Sequence, residues 1–157
     1  MRFGPRRLLV ALVMITVASC SSTAPSMQDW RVVIDSQGRI ASPVMIASDA
    51  ASLARLTEDL PPADIDLVSE VAVGLALSGP TGCEDRVVGV NINQSDDLVE
   101  PVVRLPKGPC SSVAIARVVV VAVRRTALPP APFTIRTKFT NCSQECTGPS
   151  LSVASLA

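Results

Sequence analysis

The clearest pattern along the chain is an alternation of apolar residues with polar or small ones over residues 65–77. Ile, Leu and Val occupy most odd-numbered positions there, and Asp, Glu, Ala and Gly occupy most even-numbered ones. A period of two is typical of a β-strand with one buried face. In residues 133–139, Phe and Ile alternate in a similar way with Thr, Arg and Lys. We therefore expect a strand in each of these segments.

Five further segments have the composition of strands and are separated by turns rich in Gly, Pro, Asn and Asp. They are residues 30–35, 39–47, 86–93, 98–105 and 113–125. The last segment is apolar on both sides of its middle, which predicts a central position in a sheet. Pro43 interrupts the second segment, which predicts an edge or a bulge. A turn is expected at residues 35–38, between the first two segments.

Seven short strands with turns every 8–14 residues predict an all-β fold, an antiparallel β-sandwich of the immunoglobulin-like kind. An open barrel is the alternative. One short helix is expected among the strands. Ser48 followed by Asp49 suits a helix start, and leucines spaced by three and four residues continue to Leu60. Two prolines then end the helix.

The first twenty residues have the pattern of an export signal. Three Arg precede residues 8–17, an apolar run in which only Thr16 is polar. A run of this length suits the helical apolar core of a signal peptide, but it is shorter than the roughly 20 residues that cross a bilayer. It ends in Val17-Ala18-Ser19-Cys20, a branched apolar residue and two small residues before a cysteine.

This tetrad resembles the lipobox of bacterial lipoproteins. The resemblance implies that the leader is removed and that Cys20 carries a diacylglyceryl thioether, with acyl chains such as palmitate. Two chains would hold the protein stably to the membrane, because each buried methylene contributes about 0.8 kcal/mol. An ordinary secretory signal is the alternative, and Arg6-Arg7 leaves both Sec and twin-arginine export open.

These expectations divide the chain into four parts. Residues 1–19 are the lipoprotein signal peptide and form a helix, and residues 20–28 are a lipidated flexible tether. Residues 29–146 form the β-sandwich domain, and residues 147–157 are a frayed tail.

Four cysteines remain beyond Cys20, an even number that predicts two disulfides in an exported chain. They are Cys83, Cys110, Cys142 and Cys146. Three connectivities are open. We favour Cys83–Cys110, at the two ends of a predicted hairpin, with Cys142–Cys146, which one helical turn would bring within bonding distance. A zinc site and a redox pair are less favoured, because the close pair is C-x3-C and not C-x2-C.

A further pattern covers about a third of the chain, residues 83–135. Gly82-Cys83 is followed by two predicted strands, Cys110, and a Val-rich strand that ends in Arg124-Arg125 before Leu128-Pro129. The pattern resembles small β domains of exported actinobacterial proteins of unknown function. The resemblance implies a fold and the first disulfide, but no activity.

Composition excludes several classes of function. The 157 residues carry 14 basic and 14 acidic groups, and loss of the three Arg of the leader lowers the net charge from zero to −3. Non-specific nucleic-acid binding needs a basic excess and is not expected. The chain has no His, which excludes a Ser-His-Asp triad and His-ligated metals. It also lacks a Gly-rich phosphate loop. We expect no catalytic residue, no metal site and no cofactor.

Two groups of acidic and amide side chains are candidate ligands. Asp64, Asp66 and Glu70 alternate along one predicted strand, where a paired-carboxylate site is the alternative to a solvated face. The second group surrounds a predicted hairpin turn, and its oxygen atoms suit Ca²⁺. It consists of Asn91, Asn93, Asp96, Asp97 and Glu100. The EF-hand spacing is not met, so we favour a polar hairpin tip.

Basic residues are frequent in the last three predicted strands. If Arg124, Arg136 and Lys138 share a face, they could form a basic binding stripe toward an anionic partner or lipid headgroups. A solvated face without a partner is the alternative.

The leading functional hypothesis is a lipid-anchored, non-catalytic binding or accessory module on the extracytoplasmic face of the cell membrane, with an envelope protein as partner. The alternative is a small carrier or chaperone for lipid or another apolar ligand, which needs an interior cavity of roughly several hundred Å³. An enzyme using only carboxylates and Ser is a third hypothesis. A protease inhibitor presenting residues 106–109 beside Cys110 is a fourth.

Overall fold

The structure is a computed structural model that describes residues 28–79, 83–108, 110, 115–142 and 146–156. Within these ranges the chain forms eight strands, one α-helix (α1) and one 3-10 turn. The helical segments are α1 Ala50–Leu56 and the 3-10 turn Arg125–Ala127. The strands are β1 Trp30–Gln37, β2 Val44–Ala47, β3 Glu70–Gly79, β4 Arg86–Asn93, β5 Leu98–Arg104, β6 Ile115–Arg124, β7 Phe133–Thr140 and β8 Cys146–Val153.

The strands form two four-stranded sheets packed face to face. The order is β1–β6–β3–β2 in the first sheet and β4–β5–β7–β8 in the second. Buried Val, Leu, Ile and Phe side chains from both sheets fill the space between them. The predicted all-β sandwich is thus confirmed. The predicted signal helix and residues 113–114 of the predicted Val-rich strand lie outside the described residues.

Two features of the sandwich differ from the predicted one. It has eight described strands instead of about seven, and β5 and β7 pair in parallel, whereas the other described pairs are antiparallel. The parallel pair arises because β6, which lies between them in sequence, belongs to the first sheet. The chain crosses to that sheet and back, so β7 enters the second sheet in the direction of β5.

β6 is central in the first sheet, as its apolar sequence predicts. It pairs with β1 on one side and with β3 on the other. Val119, Val121 and Val123 face the space between the sheets. Val118 and Val120 face the opposite way and join a second apolar cluster. All five side chains are buried, so the middle of this strand has no solvated face.

The outer face of the first sheet lies under a third layer. α1 and residues 57–65 after it cover this face, and Leu56 is the buried residue of the helix. Beneath them lies the second apolar cluster. Its buried members are Ile34, Ala47, Leu56, Ala72, Val118 and Val120. A helix of 7 residues is too short to be stable alone, so burial of one face stabilises it.

The sequence predicted Ser48 as the residue that caps the start of α1. In the structure the capping residue is Asp49. The Asp49 carboxylate accepts the backbone N–H of Ser52 at 2.8 Å. The Ser52 hydroxyl oxygen accepts the backbone N–H of Asp49 at 3.1 Å. These two bonds form a capping box, which satisfies N–H groups that have no partner within the helix.

The helix also ends earlier than the prolines predict. The Thr57 hydroxyl donates to the Leu53 carbonyl at 2.9 Å and closes the last turn. Leu60, predicted inside the helix, contacts the second apolar cluster from the segment after it. The sequence therefore predicted the apolar contacts correctly and the helix end wrongly. The 3-10 turn Arg125–Ala127 is a further helical segment that was not expected.

The turn expected at residues 35–38, between the first two predicted strands, does not form as expected. β1 continues through the predicted turn and pairs with β6. β2 is reduced to 4 residues and pairs with β3 at the edge of the sheet. Pro43 directly precedes β2, and its carbonyl accepts the Ala76 N–H at 2.9 Å. The edge position predicted from Pro43 is confirmed, whereas the turn was placed too early, because residues 35–37 belong to β1 and pair with β6.

The predicted frayed tail is mostly a strand. β8 pairs antiparallel with β7 and forms one edge of the second sheet. Phe133 of β7 lies opposite Val153, and both are buried. An edge strand has a single neighbour and tolerates Gly and Pro, so its sequence need not show the alternation of an inner strand.

The four cysteines form the two pairs that we favoured. Cys83 and Cys110, which flank the β4–β5 hairpin, are bonded with a Cα–Cα distance of 5.9 Å. Cys142 and Cys146, which flank the connection from β7 to β8, are bonded at 6.4 Å. In the chain-entropy account, a loop of 27 residues stabilises the fold by about 3.5 kcal/mol.

The end of β3 packs directly on the backbone that leads into β4. A Cβ atom at Gly79 would lie 2.8 Å from the Glu84 Cα and 2.9 Å from the Cys83 carbonyl oxygen. Real Cβ atoms essentially never approach other atoms so closely, and backbone atoms cannot move aside as a flexible side chain does. This contact fixes residues 83–85 against the first sheet.

Gly79→Ala is therefore expected to lower the free energy of unfolding by about 1–3 kcal/mol, because the added methyl group overlaps backbone. Urea-induced unfolding of the two proteins measures the difference. Gly89→Ala in β4 is the control, since its nearest neighbour would be 3.8 Å away. We expect the control to be neutral or more stable by about 0.5–1 kcal/mol. Equal destabilisation by the two substitutions would contradict this packing.

Candidate functional site

The first acidic group is not a pair of facing carboxylates. The strand predicted over residues 65–77 begins only at Glu70, and Asp64 and Asp66 lie in the segment before it. Arg31 of β1 donates to the Glu70 carboxylate at 2.8 and 3.1 Å, and to the Asp64 carbonyl at 2.8 Å. The charge of Glu70 is therefore balanced by a bidentate guanidinium. Through Arg31, β1 is connected both to the start of β3 and to the segment before it.

Asp66 organises the turn before β3. Its carboxylate accepts the Ser69 hydroxyl at 2.7 Å and the Val68 N–H at 3.1 Å. The Ser69 hydroxyl and then the Val68 N–H favour the charged form, so they lower the pKa of Asp66. This side-chain-to-backbone turn overrides the strand pattern of residues 65–69 and leaves Val68 88% exposed.

The second acidic group belongs to the tip of the β4–β5 hairpin. The Asn93 side-chain amide donates to Asp96 at 2.6 Å, and its oxygen accepts the Ser95 hydroxyl at 2.8 Å. Glu100 lies apart from them and pairs with Arg136. These bonds support the polar hairpin tip that we favoured. Among the described residues, no group of three or more His, Cys, Asp or Glu could hold a metal ion.

The predicted basic stripe is divided between the two sheets. Arg124 ends β6 in the first sheet, opposite Glu70. Arg136 and Lys138 lie on β7 in the second sheet. Arg124 follows the alternation of Val118 and Val120 and lies on the outer side of the first sheet, while Arg136 and Lys138 lie on the outer side of the second. The three residues therefore do not share a face, and the condition for this stripe is not met, because β6 and β7 belong to different sheets.

A different set of cations converges on the outer face of the second sheet. Arg86 of β4 lies directly opposite Arg104 of β5. Lys138 of β7 lies opposite Val102, which is two residues before Arg104 on β5 and shares its face of the sheet. Lys107 follows β5 and is exposed. We call Arg86, Arg104, Lys107 and Lys138 the cation cluster. The ion pairs found among the described residues involve Arg31, Arg117 and Arg136, and none of these four cations.

A β-bulge places Arg86 in the cation cluster. The hairpin register runs regularly from the turn to Gly89 opposite Val102, then shifts so that Val87 lies opposite Val103 and Arg86 opposite Arg104. Val88 is the extra residue. If the register of residues 89–93 continued without the shift, Arg104 would lie opposite Val87, and the Arg86 side chain would be on the other face of the sheet. The position of Arg86 on this face could not be predicted, because a bulge has no strong sequence signal. Only the Gly at position 89 indicates one.

The cation cluster borders an open concavity of about 310 Å³ at the end of the second sheet. Arg86, Arg104 and Lys107 line it, together with Glu84 and the Cys83 end of the disulfide. Hydrogen bonds to the end of β7 and the residue after it hold the segment after β5 in place. The Leu105 N–H donates to the Thr140 carbonyl at 3.1 Å, and the Asn141 amide donates to the Leu105 carbonyl at 3.0 Å.

The wall between this concavity and the first sheet contains a partly buried acid. Burial raises the pKa of Asp85, and a backbone N–H of Ser78 and the charge of Arg117 oppose this shift. The Arg117 guanidinium donates to the Asp85 carbonyl at 2.9 Å and forms an ion pair with Asp35. Arg117 therefore joins the β3–β4 connection to β1.

Comparisons with known proteins give no relative for this chain. No family model, no curated protein and no solved structure matched it. No helix in the described part of the chain is long and apolar enough to cross a membrane. Cys20 lies outside the described residues, as does Pro109 of the loop considered for protease inhibition.

Asp85→Asn is expected to stabilise the protein at neutral pH. The raised pKa means that the folded state binds the Asp85 proton more tightly than the unfolded state does, so the charged carboxylate disfavours folding. The amide removes this penalty. As the pH falls, Asp85 of the wild type is protonated in the folded state before the unfolded state, so the stability of the wild type rises toward that of Asp85→Asn. The difference in stability vanishes below the unfolded-state pKa, at about pH 4.

Thermal unfolding of both proteins between pH 4 and pH 7.5 tests this expectation. Asp66→Asn is the matched control with the opposite sign, because the Asp66 pKa is lowered and its charged form favours folding. A melting temperature of Asp85→Asn below that of the wild type at pH 7.5 would contradict the argument.

Proposed function

We propose that the protein is a lipid-anchored, non-catalytic binding module on the extracytoplasmic face of the cell membrane. The observation that carries the binding role is the cation cluster: Arg86, Arg104 and Lys138 on the outer face of the second sheet and Lys107 just beyond β5, none of them in an ion pair with a carboxylate of the described residues. The proposed anchor rests on the lipobox-like sequence at Cys20.

The chemistry of the acidic residues supports a binding role over catalysis. Glycoside hydrolysis needs two carboxylates that face each other across a cleft. Glu70 and Glu100 are each held by an arginine, and Asp66 is held by its own turn. The absence of His from the whole chain leaves Ser and Cys without the base that usually activates them.

The packing of the sandwich supports a binding surface over an apolar carrier. A carrier needs an enclosed space between the sheets. Here that space holds large buried side chains such as Leu75, Phe133 and Ile135, with Val from both sheets between them. The concavities of about 310 and 490 Å³ beside Lys107 lie at the surface and are open.

The start of β1, which follows the proposed tether, and the cation cluster lie at opposite ends of the fold. Trp30, the first residue of β1, pairs with Val123 at one end of the first sheet. Gly79 at the other end packs on the segment that leads to Arg86. The nine residues of the proposed tether, 20–28, reach about 30 Å when extended. The module is thus proposed to present its cations away from the anchoring membrane.

Metabolic labelling with a clickable fatty acid tests the anchor. The wild-type protein is expected to incorporate label and to sediment with membranes, whereas Cys20→Ala is expected to lose the label and to keep its leader. Ser21→Ala is the matched control and should label as the wild type does. Labelled Cys20→Ala protein would disprove lipidation at this thiol.

Site-specific photo-crosslinking in intact envelopes tests the binding role. A crosslinker at Val88, which is 39% exposed beside Arg86, is expected to give discrete adducts with an envelope component. These adducts should disappear when Arg86 and Arg104 are both replaced by Gln. A crosslinker at exposed Ala54 of α1 serves as the control position. The same adducts from both positions would refute a binding surface on the second sheet.

A further inference from the structure

The cross-strand position of Arg86 and Arg104 is unfavourable in the free protein. Residues directly opposite each other on one face have Cβ atoms roughly 5 Å apart, and like charges at this separation destabilise a sheet. The regular hairpin register would have kept the two side chains on opposite faces, and the bulge at Val88 brings them together. The same bulge turns Val87 toward the core, opposite buried Val103, so the fold keeps it at the expense of two opposed arginines. A counter-charge beside the two guanidinium groups would relieve their repulsion.

The surroundings of the pair define the charge of that counter-ion. Among the described residues, Arg86, Arg104 and Lys107 line the concavity directly, together with Glu84, so these lining side chains carry a net charge of +2. Asp85 lies behind them, toward the first sheet. Two guanidinium groups present planar pairs of N–H donors, and the ammonium of Lys107 adds three more. Such a set fits a compact dianion with several acceptor oxygens better than a carboxylate, which carries one charge.

The geometry of the concavity is fixed by covalent and backbone contacts. The Cys83–Cys110 disulfide joins the segment before β4 to the segment after β5. Gly79 packs on the backbone of residues 83–85, and Asn141 binds the Leu105 carbonyl. The three cations are thus carried by a rigid frame, which reduces the entropy lost when an anion is bound.

We propose that this concavity binds a phosphate dianion, either a phosphomonoester of a soluble molecule or the same group on a lipid headgroup. The inference deepens the proposed binding role and names its ligand chemistry, but it does not depend on the lipid anchor. Arg86 and Arg104 would each donate to phosphate oxygens, and Lys107 would contribute the third charge. Phosphate binding itself needs no anchor, but the choice of source does rest on it: with the proposed anchor at the Trp30 end, the concavity faces away from the anchoring membrane, and the geometry favours the soluble source.

Binding of inorganic phosphate to the full chain in neutral detergent tests the proposal, by calorimetry at a constant 0.15 M ionic strength. Saturable binding of phosphate, and not of acetate, is expected. Arg86→Gln and Arg104→Gln should each weaken it by about ten-fold or more. Arg55→Gln, at an exposed position on α1, is the matched control and should bind as the wild type does.

The melting temperature without ligand separates a binding role from a structural one. If Arg86 and Arg104 repel each other, each Gln variant should be as stable as the wild type or more stable, while phosphate binding falls. A loss of stability together with binding would assign the arginines to the fold and overturn the proposal. Absence of saturable phosphate binding to the wild type, or equal binding by all variants, would overturn it as well.

Vesicles distinguish the two sources of the phosphate group. Sedimentation with vesicles of phosphatidylcholine containing phosphatidic acid, dependent on Arg86, would assign the site to a lipid headgroup. Phosphate binding without such sedimentation would assign it to a soluble phosphomonoester. The proposed anchor is tested by the labelling of Cys20, so its failure would leave these results unaffected.

Discussion

The burial of β6 on both faces is the constraint on which the rest of the structure depends. Complete burial of one Val contributes about 1.5–3 kcal/mol, and this strand buries Val118 to Val121 and Val123 in succession. A strand of this kind needs apolar neighbours above and below. The second sheet supplies one cover, and α1 with residues 57–65 supplies the other. The short helix and the irregular segment after it cover the outer face of the first sheet, and they are held there by packing on the valines beneath them.

Much of the fold could be predicted because it is encoded by local patterns. The Val-rich run indicated a central strand, the hairpin of β4 and β5 followed from its turn, and the position of the cysteines around that hairpin indicated their pairing. The features that could not be predicted depend on distant parts of the chain. β1 runs through residues with the composition of a turn and pairs with β6, and β7 runs parallel to β5 only because β6 lies in the other sheet. β8 lacks a clear pattern because an edge strand buries little.

The candidate site shows the same division between local and non-local information. Basic residues could be counted along each strand, but their faces depend on register and on the assignment of strands to sheets. The bulge at Val88 moves Arg86 from one face of the sheet to the other, and the crossover of the chain removes Arg124 from the predicted stripe. A single extra residue thus changes the electrostatic field of a whole surface. Repulsion between surface charges costs little stability in water, so a fold can tolerate it where a ligand makes use of it.

The partnership of β1 with β6 also has a consequence for the order in which the molecule can fold. Trp30 is among the first described residues, and Val123, its partner, follows after most of the chain. The first sheet cannot close until β6 is present, and long-range pairing of this kind is slow. A domain whose first strand pairs with one of its last completes this sheet only when nearly the whole chain is available, so truncation after β5 would leave β1 without its partner.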